Sequence, residues 1–181
     1  VVMNSLMLRA AYDYSVSHLL FFSCSVMYNS SDFKIMETDF DASKPLNPSY
    51  FGVGWTKVYI EKMCEFYSRI GETKFSVLRH SNIYGPYDKF DLEKSHVFGA
   101  TVSKVFSSQN KDIEVWGTGR AERDLLYVSD LVDAVERVIS RQKNSFELVN
   151  IGSGQSISIS NLVGKIIATS GKALDIVYNI D

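Results

Sequence analysis

The sequence predicts an α/β protein organised around a parallel sheet. Two apolar runs, 18–24 and 75–78, are too continuous for strands with one solvated face and read as strands buried on both. Each follows a stretch with helical spacing of apolar residues, and no short hairpin turn joins neighbouring strands. Helix alternating with buried strand requires crossover connections, and crossovers make strands parallel.

In chain order, residues 1–14 place Leu6, Leu8, Ala10 and Ala11 where a helix packed on a sheet needs them, and 18–24 is the first strand. Residues 25–50 turn polar, with Pro45 and Pro48 among Asp, Ser and Asn, which predicts a long loop, functional or partly ordered. From 53 to 70, Val58, Ile60, Met63, Phe66, Tyr67 and Ile70 repeat at helical spacing, and Gly71 closes the helix. Strand 75–78 then gives way to turn chemistry at Gly85 and Pro86, where the chain leaves the sheet.

A more irregular half follows. It holds a helix capped by Ser95 with His96 in its first turn, short strands at 112–116 and 124–128, and a helix over 130–141 capped by Ser129. A strand at 146–150, a helix over 159–169 and a strand near 174–178 complete it. The expected domains are 1–86, carrying the sheet, and 87–181, a smaller lobe, with part of 124–150 returning to the first. No internal repeat or low-complexity linker divides the chain.

Composition narrows the function classes. With 45% hydrophobic and 13% aromatic residues over 181 positions, the chain can build one substantial core and lacks the signature of disorder. A formal charge of -2, with 19 scattered basic residues, gives no footprint for nucleic acid or an anionic membrane. The longest uncharged apolar run, 19–24, falls well short of the roughly twenty residues that span a bilayer. Cys24 and Cys64 fit neither a disulfide framework nor a metal cluster, so a reducing cytoplasm and no metal are expected.

Four segments carry the chemistry. Asn82-Ile83-Tyr84-Gly85-Pro86 follows a strand, and Ser95-His96-Val97 begins nine residues after the proline. Val115-Trp116-Gly117-Thr118-Gly119 and Arg123-Asp124-Leu125-Leu126-Tyr127-Val128-Ser129-Asp130-Leu131 come next, in that order. Strand ends and exposed helix starts are where polar groups meet ligands. Together the segments resemble the extended short-chain dehydrogenase/reductase family of NAD-dependent epimerases and dehydratases, in its GDP-L-fucose synthase branch, over nearly the whole chain. The resemblance implies a partial Rossmann-like parallel sheet with a smaller α/β substrate-binding lobe. It also implies a nucleotide-diphosphate sugar as substrate, NADP or NAD as cofactor, and a homodimer formed through the 53–70 helix.

Members of the family carry a Tyr-x-x-x-Lys pair on one helix face. The lysine lowers the tyrosine pKa so that the phenol exchanges a proton at the sugar carbonyl during hydride transfer. By resemblance the lysine is Lys57, which also serves the cofactor, while the tyrosine position is Val53, and valine has no proton to give. Tyr50, seven residues before Lys57, reads as a packing or ligand-wall residue and is also the candidate substitute phenol. The serine that hydrogen-bonds the substrate carbonyl falls on Cys24, a weaker donor, so the carbonyl is polarised less unless Ser23 or Ser25 takes over. The cysteine of the epimerising synthases falls on Val26, and Cys24 is its candidate replacement.

His96 matches the family histidine that moves a proton on the carbon beside a keto group. Lys104 and Arg123 match arginines that contact the diphosphate, Arg123 with the better geometry for it. Trp116 covers the nucleotide or sugar, or packs in the core, and Asn82 holds the substrate or forms a turn. Ser23 and His80, at strand ends, are further cofactor positions, although His80, like His18, also reads as a structural strand-edge histidine.

The family's Gly-rich turn, whose backbone N–H groups hold the cofactor pyrophosphate, has no counterpart among these residues. Gly152-Ser153-Gly154 departs from that fingerprint at Ile157 and reads as a turn between a strand and the next helix. The resemblance therefore implies the C-terminal portion of a longer enzyme, similar to GDP-4-keto-6-deoxymannose 3,5-epimerase/4-reductase. Val53 leaves two alternatives open: an epimerase or dehydratase led by His96, and a degenerate protein that binds sugar nucleotides without turning them over.

Overall fold

A computed structural model of the chain describes residues 1–31, 33–92 and 94–180. Its helices are α1 Val2–Asp13, α2 Phe51–Ile70, α3 Val97–Ser107, α4 Val128–Arg141 and α5 Ile159–Ser170. Its strands are β1 His18–Phe22, β2 Lys74–His80, β3 Asn82–Tyr84, β4 Asp112–Trp116, β5 Glu122–Tyr127, β6 Phe146–Ile151, β7 Ser156–Ser158 and β8 Asp175–Asn179. They gather into two compact units, 1–81 with 129–151 and 82–128 with 152–181. No helix among the described residues is long and apolar enough to cross a membrane.

The first unit is a parallel sheet in the order β1-β2-β6, with Phe75 opposite Leu19 on one side and Phe146 on the other. Central β2 is shielded on both faces, which is why its sequence does not alternate. Leu8 of α1 and Ile60, Cys64 and Tyr67 of α2 close over Phe75 and Val77. Burying a side chain such as Phe75 contributes about 1.5–3 kcal/mol. Because the strands run the same way, Phe22, His80 and Ile151 end along one edge of the sheet. That carboxyl edge is where an open parallel sheet accepts ligands.

Helix α2 begins two residues earlier than the apolar spacing predicts and takes in Gly52 and Gly54. At Gly54 a Cβ would lie 2.7 Å from Leu46 Cδ1, so the missing side chain lets the loop press against the helix. Met27 and Leu46 are buried there with Val58, and Tyr28, Phe40 and Trp55 pack around them. The polar stretch 25–50 is thus anchored by its few apolar residues.

In the second unit β5 pairs parallel to β3 and antiparallel to β7, while β4 pairs parallel to β8. Val105, Ile113, Val115, Leu162, Val163 and Ile166 form its core between α3, α5 and the β4–β8 pair. Residues 82–84 form a strand rather than a turn. Pro86 terminates that strand without preventing it, and Ile83 sits opposite Leu126. Two helix starts differ from the sequence expectation. His96, not Ser95, is the N-cap of α3 and makes no side-chain cap bond. Ser95 Oγ instead accepts from Asp91 N at 2.6 Å and donates to the Lys89 carbonyl, tying up the preceding loop. Ser129 lies inside α4, because β5 runs into that helix with no intervening residue.

Candidate active site

The helical position of Lys57 brings its long side chain to the carboxyl end of β1. There Nζ donates to the Phe22 carbonyl at 2.6 Å and stands 4.9 Å from the centre of the Phe21 ring. The next residues are Ser23, Cys24 and Ser25, so the lysine and the strand-end positions named above share one corner of the first unit. Val53 occupies the same helix one turn before Lys57, with 46% of its surface exposed. Tyr50 stands outside the helix as its N-cap, at the end of a short 3-10 turn over Pro48–Tyr50, and its backbone N–H donates to the Asn47 carbonyl at 2.9 Å. Cys24 and Ser25 are half-buried at the strand end.

Ser23 is fully buried, and its Oγ donates to Glu61 Oε1 at 2.5 Å. Glu61, one turn beyond Lys57, also receives Arg79 from the end of β2. Nη2 lies 2.6 Å from Oε2, and Nε lies 3.1 and 3.2 Å from the two oxygens. Arg79 Nη1 donates to Tyr28 Oη at 2.7 Å, and Tyr28 Oη donates to Asn150 Oδ1 at 2.8 Å. Asn150 N in turn donates to Glu37 Oε1 at 2.7 Å. The guanidinium sits 5.1 and 5.3 Å from the Tyr28 and Phe40 ring centres. Burial opposes its charge, but the hydrogen bonds and charge of Glu61, helped by Tyr28, more than offset this and hold Arg79 above its ordinary range. One buried cation therefore ties β1, α2, β2, β6 and the 25–50 loop together at the carboxyl edge of the sheet.

Sequence reasoning missed this network. Its signal was a charged residue ending a buried apolar strand and a carboxylate four residues after Lys57, since such charges stay buried only when paired. His80 Nδ1 donates to the Ser81 carbonyl at 2.8 Å. His18 lies at the opposite, amino end of the sheet, where Nε2 is 2.7 Å from Ser76 Oγ and 3.1 Å from Gln142 Oε1.

The second unit carries the remaining candidates. His96 is exposed at the start of α3, and Lys104, later on the same helix, donates from Nζ to the Glu114 carbonyl of β4 at 3.2 Å. Asn82 Nδ2 donates to the Asp124 carbonyl at 3.1 Å, which fastens β3 to β5. Arg123 is exposed and donates from Nη1 to the Glu122 carbonyl at 2.7 Å. Trp116 is 73% exposed at the end of β4, which excludes the core-packing role. A groove of about 1030 Å³ in this unit is lined by α3 and α5 residues such as Phe98, Val102 and Lys165, and none of the five candidates lines it. The Gly152–Gly154 turn follows β6, and its N–H groups receive the Asp124 carboxylate.

The sequence matches the NAD dependent epimerase/dehydratase family over residues 1–152. It is 30% identical over 182 residues to a GDP-L-fucose synthase of Sinorhizobium fredii (strain NBRC 101917 / NGR234), an alignment covering 99% of this chain and 58% of the relative. It is 28% identical over 172 residues to a GDP-L-colitose synthase of Yersinia pseudotuberculosis, covering 91% of this chain and 56% of that one. Among solved structures, a GDP-L-fucose synthetase from Naegleria fowleri superposes with a TM-score of 0.88 at 20% identity, covering 98% of this chain and 57% of that one. A GDP-D-glycero-L-gluco-heptose synthase from Campylobacter jejuni, solved in the presence of NADPH, gives 0.81 at 23%, covering 97% and 63%. The chain thus spans little more than half the length of the curated relatives it matches, and it shares the α/β, Rossmann-like fold of the solved ones. On the family match, the fold and the lysine-bearing helix at the sheet's carboxyl edge, the chain belongs to the NAD dependent epimerase/dehydratase family.

Proposed function

We propose that the protein modifies a nucleotide-diphosphate sugar with NADP or NAD as cofactor, in the manner of a GDP-4-keto-6-deoxymannose 3,5-epimerase/4-reductase of the cytoplasm. The observation that carries this reading is Lys57, set on α2 so that its ammonium reaches the carboxyl end of β1. A lysine there fits a cofactor ribose, whose hydroxyls would replace the Phe22 carbonyl as partners of the three N–H donors. The nicotinamide, when bound, supplies or accepts the hydride. Its similarity to a GDP-L-fucose synthase and a GDP-L-colitose synthase supports the substrate class.

Within this reading Lys57, Ser23 and His80 face the cofactor, and Cys24 or Ser25 polarises the sugar carbonyl. His96 moves the proton beside it, and Asn82, Lys104, Trp116 and Arg123 hold the sugar nucleotide. Ser23, enclosed beneath Glu61, acts through the backbone of the strand end rather than through its hydroxyl. A homodimer through α2 is part of the proposal. Tyr59, Phe66 and Ile70 leave an apolar stripe on that helix about half exposed, and the packed neighbour α1 also exposes Leu6 and Met7.

Val53 favours a second reading in which hydride transfer is impaired and epimerisation through His96 remains. Incubating the full-length protein with GDP-4-keto-6-deoxymannose and NADPH in deuterated water separates the two. Cofactor oxidation supports the reductase, and deuterium entering C3 or C5 without oxidation supports the epimerase. Val53→Tyr restores a phenol one turn before Lys57 and is expected to raise the oxidation rate by roughly a hundredfold, the contribution of a positioned acid. Neither oxidation nor exchange, in wild type or variant, would leave only a binding protein.

A further inference from the structure

We infer that Asp124 is a positioning residue, which sets Arg123 and Asn82 for an anionic ligand by locking β5 to the Gly152–Gly154 turn. Its carboxylate accepts two backbone hydrogen bonds, Oδ1 from Ser153 N and Oδ2 from Gly154 N, both at 2.9 Å. Its carbonyl accepts Asn82 Nδ2 at 3.1 Å. The turn is shaped for this side chain. Gly154 adopts φ +74°, and a Cβ on Gly152 would stand 2.9 Å from Asp124 Oδ2. Consecutive N–H groups in a glycine-rich turn make an anion cradle, and here a carboxylate of the protein fills it.

The consequence falls on Arg123. Neighbouring side chains on a strand point to opposite faces, so fastening Asp124 on one face of β5 presents Arg123 on the other. The antiparallel register, Arg123 opposite Ile157 and Asp124 opposite Ser156, holds that face in place. An acidic residue next to an arginine would ordinarily compete for it. The two N–H donors of the turn engage this carboxylate instead, and the exposed guanidinium rests on the neighbouring Glu122 carbonyl at 2.7 Å, a weak partner that a diphosphate displaces. Asp124 thus serves ligand binding without touching the ligand.

The inference rests on the proposed sugar-nucleotide reading, and a binding cycle by calorimetry with GDP-mannose tests the two separately. Arg123→Gln should weaken binding roughly tenfold or more, the loss of a charge-assisted phosphate contact. Asp124→Asn should weaken it by a similar factor, and Arg123→Gln/Asp124→Asn should bind no worse than Arg123→Gln alone. Gly152→Ala, which displaces the carboxylate from the other side, should reproduce the Asp124→Asn loss and carries the test if Asp124→Asn fails to fold. Wild-type binding that Asp124→Asn and Gly152→Ala leave unchanged overturns the positioning role and spares the sugar-nucleotide reading. So does a loss from Asp124→Asn that persists in full on the Arg123→Gln background. Absence of GDP-mannose binding by the wild type overturns the reading itself, and the positioning role with it.

Discussion

Arg79 and Glu61 form an ion pair at the carboxyl edge of the first sheet, with side chains 4% and 3% exposed and Nη2 2.6 Å from Oε2. Their mutual attraction is offset by the cost of removing both from water, so the pair's strength shows when one partner is taken away. Arg79→Met is expected to destabilise the protein by about 3–5 kcal/mol, because Glu61 is left charged and buried. Glu61→Met/Arg79→Met should regain most of that but not all, since Ser23 Oγ and Tyr28 Oη each lose a partner. Urea unfolding of the four proteins measures the cycle. A single substitution within about 0.5 kcal/mol of wild type would show that the pair holds nothing together.

Lys172 does for the second unit what a cap does for a helix. Its Nζ donates to the carbonyls of Val105, Phe106 and Ser108, at 3.0, 2.7 and 3.1 Å, and so satisfies groups that the end of α3 leaves without helical partners. Lys172→Met keeps the aliphatic stem and removes the donors, and should cost about 1–3 kcal/mol. Lys172→Arg should not restore the loss, because a planar fork cannot converge on three carbonyls as an ammonium does. Hydrogen exchange in the last turn of α3 reads the effect locally, and unchanged protection in Lys172→Met refutes it.

The proposed dimer makes a separate claim. Phe66→Glu places a charge in the middle of the α2 stripe, where a partner helix would have to desolvate it. The expected outcome is conversion of a dimer to a folded monomer in light scattering after gel filtration, with helix content unchanged. A wild type that is already monomeric at high concentration removes the dimer from the proposal.

How much of this was legible in the residues depended on the range of the interaction. Apolar spacing located α1, α2, α5 and both buried strands, because burial on a helix or sheet face writes itself into neighbouring positions. The Asn82–Tyr84 strand was hidden by turn residues after it, and its partner Leu125 lies more than forty positions away in the chain. The Ser95 and Ser129 caps were misplaced because local capping chemistry lost to tertiary demands, a loop hydrogen bond in one case and a strand running straight into a helix in the other. Lys57 could be found by its motif. Arg79 and Glu61 left only the mark of charges within apolar runs, and Tyr28 and Asn150 left none, since their roles exist only once distant segments meet.

Cys64 provides a test that depends on burial alone. It is fully enclosed between α2 and the sheet, and desolvation, followed by the nearby charge of Glu61, pushes its thiol from an ordinary 9.0 up to about 12. At neutral pH it is a protonated thiol, so a thiol reagent should modify the half-buried Cys24 in the folded protein and spare Cys64. The sign of the stability effect follows from proton counting. Between pH 9 and 12 the native thiol keeps its proton while the unfolded one has lost it, so this group's contribution is complete below about pH 9 and declines above. The decline is about 1.4 kcal/mol per pH unit for a single site. Comparing urea unfolding of wild type and Cys64→Val at pH 8, 9.5 and 10.5 cancels the titration of lysines and tyrosines, which both proteins share. The gap between them should shift steadily in favour of the valine variant as pH rises. A gap independent of pH would mean that Cys64 ionises alike in both states, which its enclosure beneath α2 does not allow.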